Sequence, residues 1–247
     1  MWIEDGSLLV RLAFGADEIA AAQRVRYQVF NVELSEGLEQ AEETGLDVDE
    51  FDEQCDHLVL IDRSIDEIVG TYRLQTAEQA AAGRGFYCDQ EFVLHDLGPS
   101  VLGAGIELGR ACVLPDYRKG PGLLALWRGL VGHATALEKR YLFGCSSLTG
   151  IDDEVASLAD AWVDQHRFRH ATLSARTREA FRHSARPMTA EALEAFRPPR
   201  LFATYLRYMT RVCSAPALDR EFGTTDFLVI CDLENFEPRM RRLLMES

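Results

Sequence analysis

Two opposite charges, Glu107 and Arg110, stand three residues apart in an apolar run of strand formers at residues 105–114. Side chains on a strand alternate between its faces, so these charges should point to opposite sides. Gly109 between them permits a β-bulge, which returns both charges to one face. A carboxylate there can deprotonate an attacking amine, and a freed backbone N–H can stabilise an oxyanion. This arrangement suits acyl transfer from a thioester to an amine, and an edge-strand ion pair is the alternative.

Two acids, Asp49 and Asp52, stand three positions apart just before a predicted strand. That spacing places both carboxylates on one side of a helical turn. Arg26 lies in the apolar face of a helix expected at residues 17–30, where a charge needs a partner. We expect the acids to pair with Arg26 and Arg73 around a polar acceptor pocket. A solvated acidic loop is the alternative.

A glycine-rich segment with Arg118, Lys119, Gly120 and Gly122 follows the strand that carries the Glu–Arg pair. Pro121 suits the first turn of a helix. Glycine-rich backbone at a helix N-terminus can bind an anion or a pantetheine arm. A plain strand-to-helix turn explains the segment equally well.

The elements that must position these residues alternate between strands and helices. Apolar runs rich in strand formers predict strands at residues 7–14, 56–62, 67–76, 105–114, 141–148 and 225–233. Apolar residues at helical spacing predict helices at residues 17–30, 121–134, 152–166 and 201–212. Asp17 is the expected N-cap of the first helix. The order predicts an α/β fold with a mixed, twisted sheet flanked by helices.

We expect a single domain over the whole chain. Its parts would be a core, an Arg-rich helical elaboration and a closing strand region, at residues 7–165, 166–213 and 214–235 respectively. The connection before residue 105 supplies aromatic candidates for the lining of a pocket: Phe86, Tyr87 and Phe92.

The net charge of −14 is spread unevenly along the 247 residues. Residues 1–100 carry 22 acids and 6 bases, whereas residues 165–211 carry 10 Arg and 3 Glu. The overall acidity argues against nucleic acid as a partner. The Arg-rich segment suits an acidic protein or an anionic membrane surface, and a solvated helical face is the alternative.

The N-terminus does not read as a signal peptide, and no run approaches the roughly 20 apolar residues of a membrane span. We therefore expect a cytoplasmic protein, with peripheral contact at the inner membrane as an open alternative. The six cysteines show neither Cys-x-x-Cys pairs nor the spacing of zinc ligands. Reduced, mostly buried thiols and no metal site are expected.

The sequence resembles the acyl-carrier-protein-dependent N-acyltransferases of ornithine-lipid synthesis, often called hemolysin-like, over about residues 8–233. The blocks that carry the resemblance are FDEQCDHLVLID, VGTYRLQT, GFYCDQEF, ELGRACVLPDYR, LWRGL, GCSSL and PALDREFGTTDFL. The fold implied is that of the acetyltransferase (GNAT) superfamily, which acyl-homoserine lactone synthases share. The signature charges of those synthases resemble Arg26 with Phe30, Asp49 with Asp52, Arg73, and Glu107 with Arg110.

The resemblance implies transfer of a (3-hydroxy)fatty acyl group from acyl carrier protein to the α-amine of ornithine, giving a lyso-ornithine lipid. Glu107 would be the base or would orient the acceptor, and Arg110 would be its catalytic partner. Asp49 and Asp52 would bind the ammonium groups of the acceptor. The full set of implied substrate contacts is Arg26, Phe30, Asp49, Asp52, Arg73, Phe92, Cys112 and Val113.

The donor arm implied is the 4′-phosphopantetheine of the carrier, and no cofactor or metal would stay bound. Arg118, Lys119, Gly120 and Gly122 would receive this arm. Arg118 stands one residue nearer to Gly120 than in the phosphate loop of the GNAT superfamily, which favours a carrier protein over CoA. Arginines within residues 167–211 would dock the acidic carrier.

Other functions remain open at this point. The acceptor could be glycine, tyrosine or another amine, or the product could be an acyl-homoserine lactone. A non-catalytic acyl-binding or membrane-active protein is the alternative from another class. The combined charges of Glu107, Arg110, Asp49 and Asp52 favour an enzyme, because a lipid-binding module does not need them.

Overall fold

A computed structural model describes residues 3–38 and 40–245 of the chain. Nine strands form one sheet: β1 (Ile3–Asp5), β2 (Leu8–Leu12), β3 (Asp56–Asp62), β4 (Glu67–Thr76), β5 (Gly105–Val113), β6 (Tyr141–Thr149), β7 (Arg211–Val212), β8 (Ala217–Asp219) and β9 (Thr224–Asp232). The helices are α1 (Gly15–Tyr27), α2 (Ala41–Thr44), α3 (Ala77–Ala82), α4 (Pro99–Gly103), α5 (Pro121–Ala136), α6 (Asp153–Gln165), α7 (Ala190–Ala195), α8 (Arg200–Tyr208) and α9 (Pro238–Met245).

The strand order is β1-β2-β3-β4-β5-β6-β9-β7, and β8 pairs separately with β9. Strands β5 and β6 are parallel and every other pair is antiparallel. The mixed α/β fold expected from the sequence is confirmed. The arginine-rich part of the chain ends in β7, and β7 and β9 belong to this same sheet.

Alternation along the strands directs apolar side chains to both faces of the sheet. Val10, Leu58 and Leu60 pack in the cluster that contains the buried face of α5, whereas Leu9 and Val59 pack with Ala22 of α1. Helices α1 and α5 therefore cover opposite faces. The site described below lies at the centre of this sheet.

Two predicted boundaries are wrong. Asp17 does not cap α1, which begins at Gly15; instead the Glu18 carboxylate accepts the N–H of Phe14 at 2.7 Å. The helix predicted at 201–212 ends at Tyr208, and Arg211–Val212 pairs with β9 because the chain there completes the sheet. Helix α1 continues as a π-helical turn over Gln28–Glu33.

The predicted thiols are confirmed, because all six cysteines are free. Four of them are buried and two are half-buried. Among the described residues, no helix has the length and apolar character that crossing a bilayer requires.

Candidate active site

The parallel pair β5–β6 separates part-way along its length. Residues 105–108 of β5 pair with residues 141–144 of β6. Among the described residues, the rest of β6, residues 145–149, pairs with β9 and not with β5. Gly144 stands at the point of separation, where a Cβ would lie 2.3 Å from the carbonyl oxygen of Leu108. The two strands thus form a wedge whose walls carry backbone groups that another molecule can bind.

The predicted bulge in β5 is present. The register with β4 shifts between Thr71 and Arg73, opposite Arg110 and Ala111. The residue with left-handed backbone is Arg110, with φ of 49°, whereas Gly109 was the expected position. The shift brings the side chains of Glu107 and Arg110 to the same cavity.

Glu107 is a buried carboxylate, with 4% of its surface exposed. One of its oxygens accepts the N–H of Tyr87 at 2.9 Å and the other accepts the N–H of Cys88 at 2.7 Å. Burial raises the pKa of Glu107, and the two backbone donors partly oppose that effect. A carboxylate with a raised pKa is a suitable general base near neutral pH.

Two buried arginines, Arg26 and Arg73, and the half-buried Arg110 form a closed ionic network with three aspartates beside Glu107. Arg26, which is fully buried, donates to Asp47 at 2.7 Å and twice to Asp52 at 2.9 Å. Arg73 donates to Asp49, and to Asp52 at 2.9 Å. Arg110 donates to Asp49 at 2.8 Å. The sequence-predicted pairing of Arg26 and Arg73 with these acids is present.

This network corrects the role expected for Asp49 and Asp52. Both carboxylates are occupied by guanidinium groups, which hold their pKa values below the usual range against the effect of burial. Within the part of the chain that the structure describes, neither lines the cavity. They hold Arg73 and Arg110 in place and are not free to bind an ammonium group.

A cavity of about 470 Å³ opens beside the wedge. Its apolar part is lined by Leu74, Trp127, Leu130, Val131, Leu142, Phe202, Tyr205 and Val229. Its polar part is lined by Arg73, Gln75, Tyr87, Glu107, Arg110, Asp219, Thr224 and Asp226. An acyl chain fits the apolar part, and its reactive end would meet the polar part.

Relatives of known activity cover nearly the whole chain. A family model described as an acetyltransferase (GNAT) domain matches residues 25–128. An L-ornithine Nα-acyltransferase of Rhodobacter capsulatus is 38% identical over 242 residues, which cover 94% of this chain and 92% of the relative. One of Agrobacterium fabrum is 35% identical over 245 residues, covering 95% and 84%. The chain belongs to the L-ornithine Nα-acyltransferase family.

The fold of this acyltransferase is shared more widely. The AHL synthase LasI superimposes with a TM-score of 0.52 at 11% identity, covering 97% of this chain and 95% of LasI. That likeness shows the fold alone. The predicted relationship to both groups of proteins is confirmed.

Besides Asp49 and Asp52, four of the expected substrate contacts lie away from the cavity. Arg26 is fully buried in the ionic network with Asp47 and Asp52, which corrects its expected role. Phe92 is fully buried and packs in a separate core cluster with Leu94 and Phe143. Cys112 packs beneath α1, and Val113 packs in the core under α5. Side chains of β5 beyond the bulge alternate between the cores on the two faces of the sheet, so Cys112 and Val113 do not line the cavity. The predicted substrate contacts at Phe92, Cys112 and Val113 are therefore wrong. Phe30, by contrast, lines the cavity.

The glycine-rich loop of the acyltransferase joins β5 to α5. Arg118 donates to both carboxylate oxygens of Glu33, at 2.5 and 2.6 Å, and to the carbonyl of Val113. Lys119 and Gly120 are exposed, and Gly122 packs against Tyr117, where a Cβ would lie 2.7 Å from its carbonyl oxygen. Among the described residues, the cavity wall does not include the loop, so a contact with the donor would be made outside it.

A second acidic cluster, formed by Glu91, Asp219 and Asp226, has no counterpart in the sequence-based predictions. All three residues are buried, with exposures of 1%, 5% and 4%. Asp226 and Asp219 line the cavity, and the Sγ of Cys145 lies 3.6 Å from a Glu91 oxygen. Burial and the neighbouring acids raise the pKa values of Glu91 and Asp226. The alternation of β9 is the sequence signal that could have pointed to Asp226.

Helix α8 closes one side of the cavity with Phe202 and Tyr205. Its outer side carries exposed Arg200 and Arg207. Among the described residues, neither guanidinium has an ion-pair partner, whereas Arg169 and other arginines earlier in this segment do. Helix α8 thus presents two exposed arginines next to the cavity.

Proposed function

We propose that this acyltransferase moves a long-chain acyl group from acyl carrier protein to the α-amine of L-ornithine, giving a lyso-ornithine lipid. The relatives at 38% and 35% identity are L-ornithine Nα-acyltransferases. The observation that carries the chemistry is the buried carboxylate of Glu107, which lines the cavity together with Arg73 and Arg110.

The reaction needs a base, because an ammonium group has no free electron pair. Glu107 takes a proton from the α-ammonium of ornithine, directly or through a water molecule. The nitrogen then attacks the thioester carbon, and a C–N bond forms as the carbonyl becomes an oxyanion. Backbone N–H groups at the bulge, around Gly109–Ala111, stabilise that oxyanion. The carbonyl re-forms as the C–S bond breaks, and the leaving thiolate takes up the second proton, which the nitrogen loses as it becomes the amide.

The arginine network holds the side chains of this site in position and takes no part in the bond changes. Asp49 and Asp52 fix Arg73 and Arg110, and both guanidinium groups line the cavity. Arg110 also lies over the rings of Tyr87 and Phe222, at 5.4 and 4.3 Å from their centroids. An arginine held in this way can receive the carboxylate of the acceptor or the acyl carbonyl.

The donor arm enters through the wedge between β5 and β6. An extended pantetheine presents amide groups that the unpaired strand backbone can bind. The acyl chain then occupies the apolar part of the cavity under α5 and α8. The proposed donor is a carrier protein, since α8 presents exposed arginines to an acidic partner.

A competition among acceptors tests the proposed function. Purified enzyme is incubated with acylated carrier protein or with the matching acyl-CoA, and with ornithine, glycine, tyrosine or no acceptor. We expect ornithine with the acylated carrier to give the acyl-amino-acid product, detected by mass spectrometry, together with release of the carrier thiol. Product from glycine or tyrosine but not from ornithine would contradict the assignment, as would thiol release that needs no amine.

Carrier docking can be tested by reversing charge on α8. For Arg200→Glu combined with Arg207→Glu, we expect the KM for acylated carrier to rise about tenfold at low salt and the difference to shrink as salt is added. The kcat should stay near that of the wild type, because neither side chain lines the cavity.

The matched control is Arg24→Glu, which reverses an exposed charge on α1. This variant should leave the KM for the carrier unchanged. An equal rise in both proteins would show a general effect of net charge and would remove α8 from the docking surface.

A further inference from the structure

The acidic cluster of Glu91, Asp219 and Asp226 lacks the cation that such a group normally requires. Among the described residues, these three carboxyl groups take part in no ion pair, whereas Asp47, Asp49 and Asp52 are all paired with arginine. Burying carboxylates without a counter-charge is costly. Protons neutralise part of this charge, since burial and the neighbouring acids raise the pKa values of Glu91 and Asp226. A molecule that brings positive charge into the cavity would take the place of those protons.

Two carboxyl oxygens of the cluster are unsatisfied. The Oδ1 of Asp226 and the Oε2 of Glu91 are buried and have no hydrogen-bond partner within residues 3–38 and 40–245. Asp226 lines the cavity. Asp219 is already fixed, because its Oδ1 accepts the N–H groups of Glu221 and Phe222 at 2.9 and 3.2 Å. The unsatisfied oxygens therefore belong to Asp226 and Glu91, whose carboxyl groups accept no backbone N–H among the described residues.

The cluster lies close to the proposed catalytic carboxylate. Cys88, whose N–H donates to Glu107, has its sulfur 3.4 Å from the sulfur of Cys145, which in turn lies 3.6 Å from a Glu91 oxygen. Three consecutive contacts, through Cys88 and Cys145, thus link the two acidic sites. Glu107 and Asp226 line the same cavity, and the two nitrogens of extended ornithine, about 6 Å apart, can reach different parts of it.

We infer that Glu91, Asp219 and Asp226 form the subsite for the side-chain ammonium of a diamino acid acceptor. This inference rests on the proposed function and adds to it the residues that select the acceptor. The α-amine then meets Glu107 while the distal ammonium donates to Asp226 and Glu91. Binding releases the protons that the cluster holds and forms a charge-assisted set of hydrogen bonds in their place.

The cluster also has the composition of a small metal site, because the ligand atoms of Glu91, Cys145 and Asp226 lie within 4.8 Å of one another. Hydrogen bonding with Cys88 and burial raise the pKa of the Cys145 thiol well above its ordinary value, so a metal would have to displace a tightly held proton. An ammonium group needs no deprotonation of this thiol.

The test compares ornithine with norvaline, which has the same carbon chain but no distal amine. With the donor that supports wild-type turnover, we expect kcat/KM for ornithine to exceed that for norvaline by about 100-fold. In Asp226→Asn the ratio of the two values should fall about 10- to 100-fold. Glu91→Gln should lower the ratio in the same direction. The exposed carboxylate variant Asp17→Asn should leave the ratio unchanged.

The possible results separate this inference from the function on which it rests. A wild-type enzyme that acylates neither acceptor contradicts the proposed function itself. Wild-type activity that is equal on both acceptors, or an Asp226→Asn ratio equal to that of the wild type, overturns the subsite. A stoichiometric metal found in the purified protein, whose removal by chelation abolishes turnover and whose return restores it, also overturns the subsite and assigns the cluster to the metal.

Discussion

Replacing Glu107 with Gln is expected to lower kcat by about 10²–10⁴-fold, the range typical for loss of a general base. The amide has nearly the same shape as the carboxylate but cannot take up a proton from the amine. The N–H groups of Tyr87 and Cys88 converge on this side chain, so the substitution also leaves one of them facing an NH₂ group. Turnover of thioester with ornithine is the measurement, and thermal unfolding of the same sample checks that the variant is folded.

The pH profile separates a base from a residue that only anchors the loop. Because burial raises the pKa of Glu107, the active carboxylate form exists only above that raised value. In the wild type kcat/KM should therefore fall on acidification at a pH above the ordinary glutamate range of about 4.3. Glu107→Gln should lose this acidic limb. An anchoring role would lower activity at every pH and leave the limb in place.

The matched control is Glu78→Gln, which makes the same chemical change on an exposed carboxylate that pairs with Lys139. Its activity should stay within about twofold of the wild type. A Glu107→Gln enzyme with kcat close to that of this control would remove Glu107 from the mechanism.

The sheet was predictable because its strands have strong local signals. The boundaries of β3 and β4 match the apolar runs to the residue, and α5 begins at the proline that suits its first turn. These patterns depend on neighbours in sequence. Helix α8 was predicted too long because the pairing of Arg211–Val212 with β9, a contact distant in sequence, overrides the local helical pattern.

The candidate site was predictable where a buried charge must pair with a group of opposite charge. Arg26 in an apolar stripe required an acid, and Asp52 supplies it. The sequence does not show which of several nearby acids pairs with Arg26, since Asp47 lies in the same acidic segment as Asp49 and Glu50. The role of the partners was also misassigned, because spacing alone does not show whether a carboxylate faces an arginine or a ligand.

The acidic cluster was missed for a related reason. Asp219 and Asp226 lie on the paired strands β8 and β9, whereas Glu91 is more than 100 residues earlier in the chain, and only the fold brings it to them. Each alone resembles an ordinary loop or strand-end acid. The same is true of the bulge: the sequence pointed to Gly109, whereas the ion pair with Asp49 and the aromatic rings around Arg110 hold Arg110 itself in the left-handed conformation.

Replacing Asp52 with Asn is expected to lower the free energy of unfolding by about 3–5 kcal/mol, because it leaves buried guanidinium charge without its partner. Asp52 receives both terminal nitrogens of Arg26 and one nitrogen of Arg73, and these side chains are at most 4% exposed. For a chain of this size the loss corresponds to a fall in Tm of roughly 6–20 °C. Chemical denaturation and thermal unfolding at neutral pH are the measurements.

The pH dependence of stability should change with the same substitution. The arginines lower the pKa of Asp52 below its value in the unfolded chain, so its contribution is complete above about pH 4 and is lost as the pH falls further. The wild type should therefore lose its advantage over Asp52→Asn on acidification. Glu18→Gln removes the partner of Arg11 in a pair whose side chains are 30% and 12% exposed, and it should lower stability by only about 0–1 kcal/mol. A loss for Asp52→Asn no greater than for this control would mean that the network is not what holds Arg73 and Arg110 at the cavity.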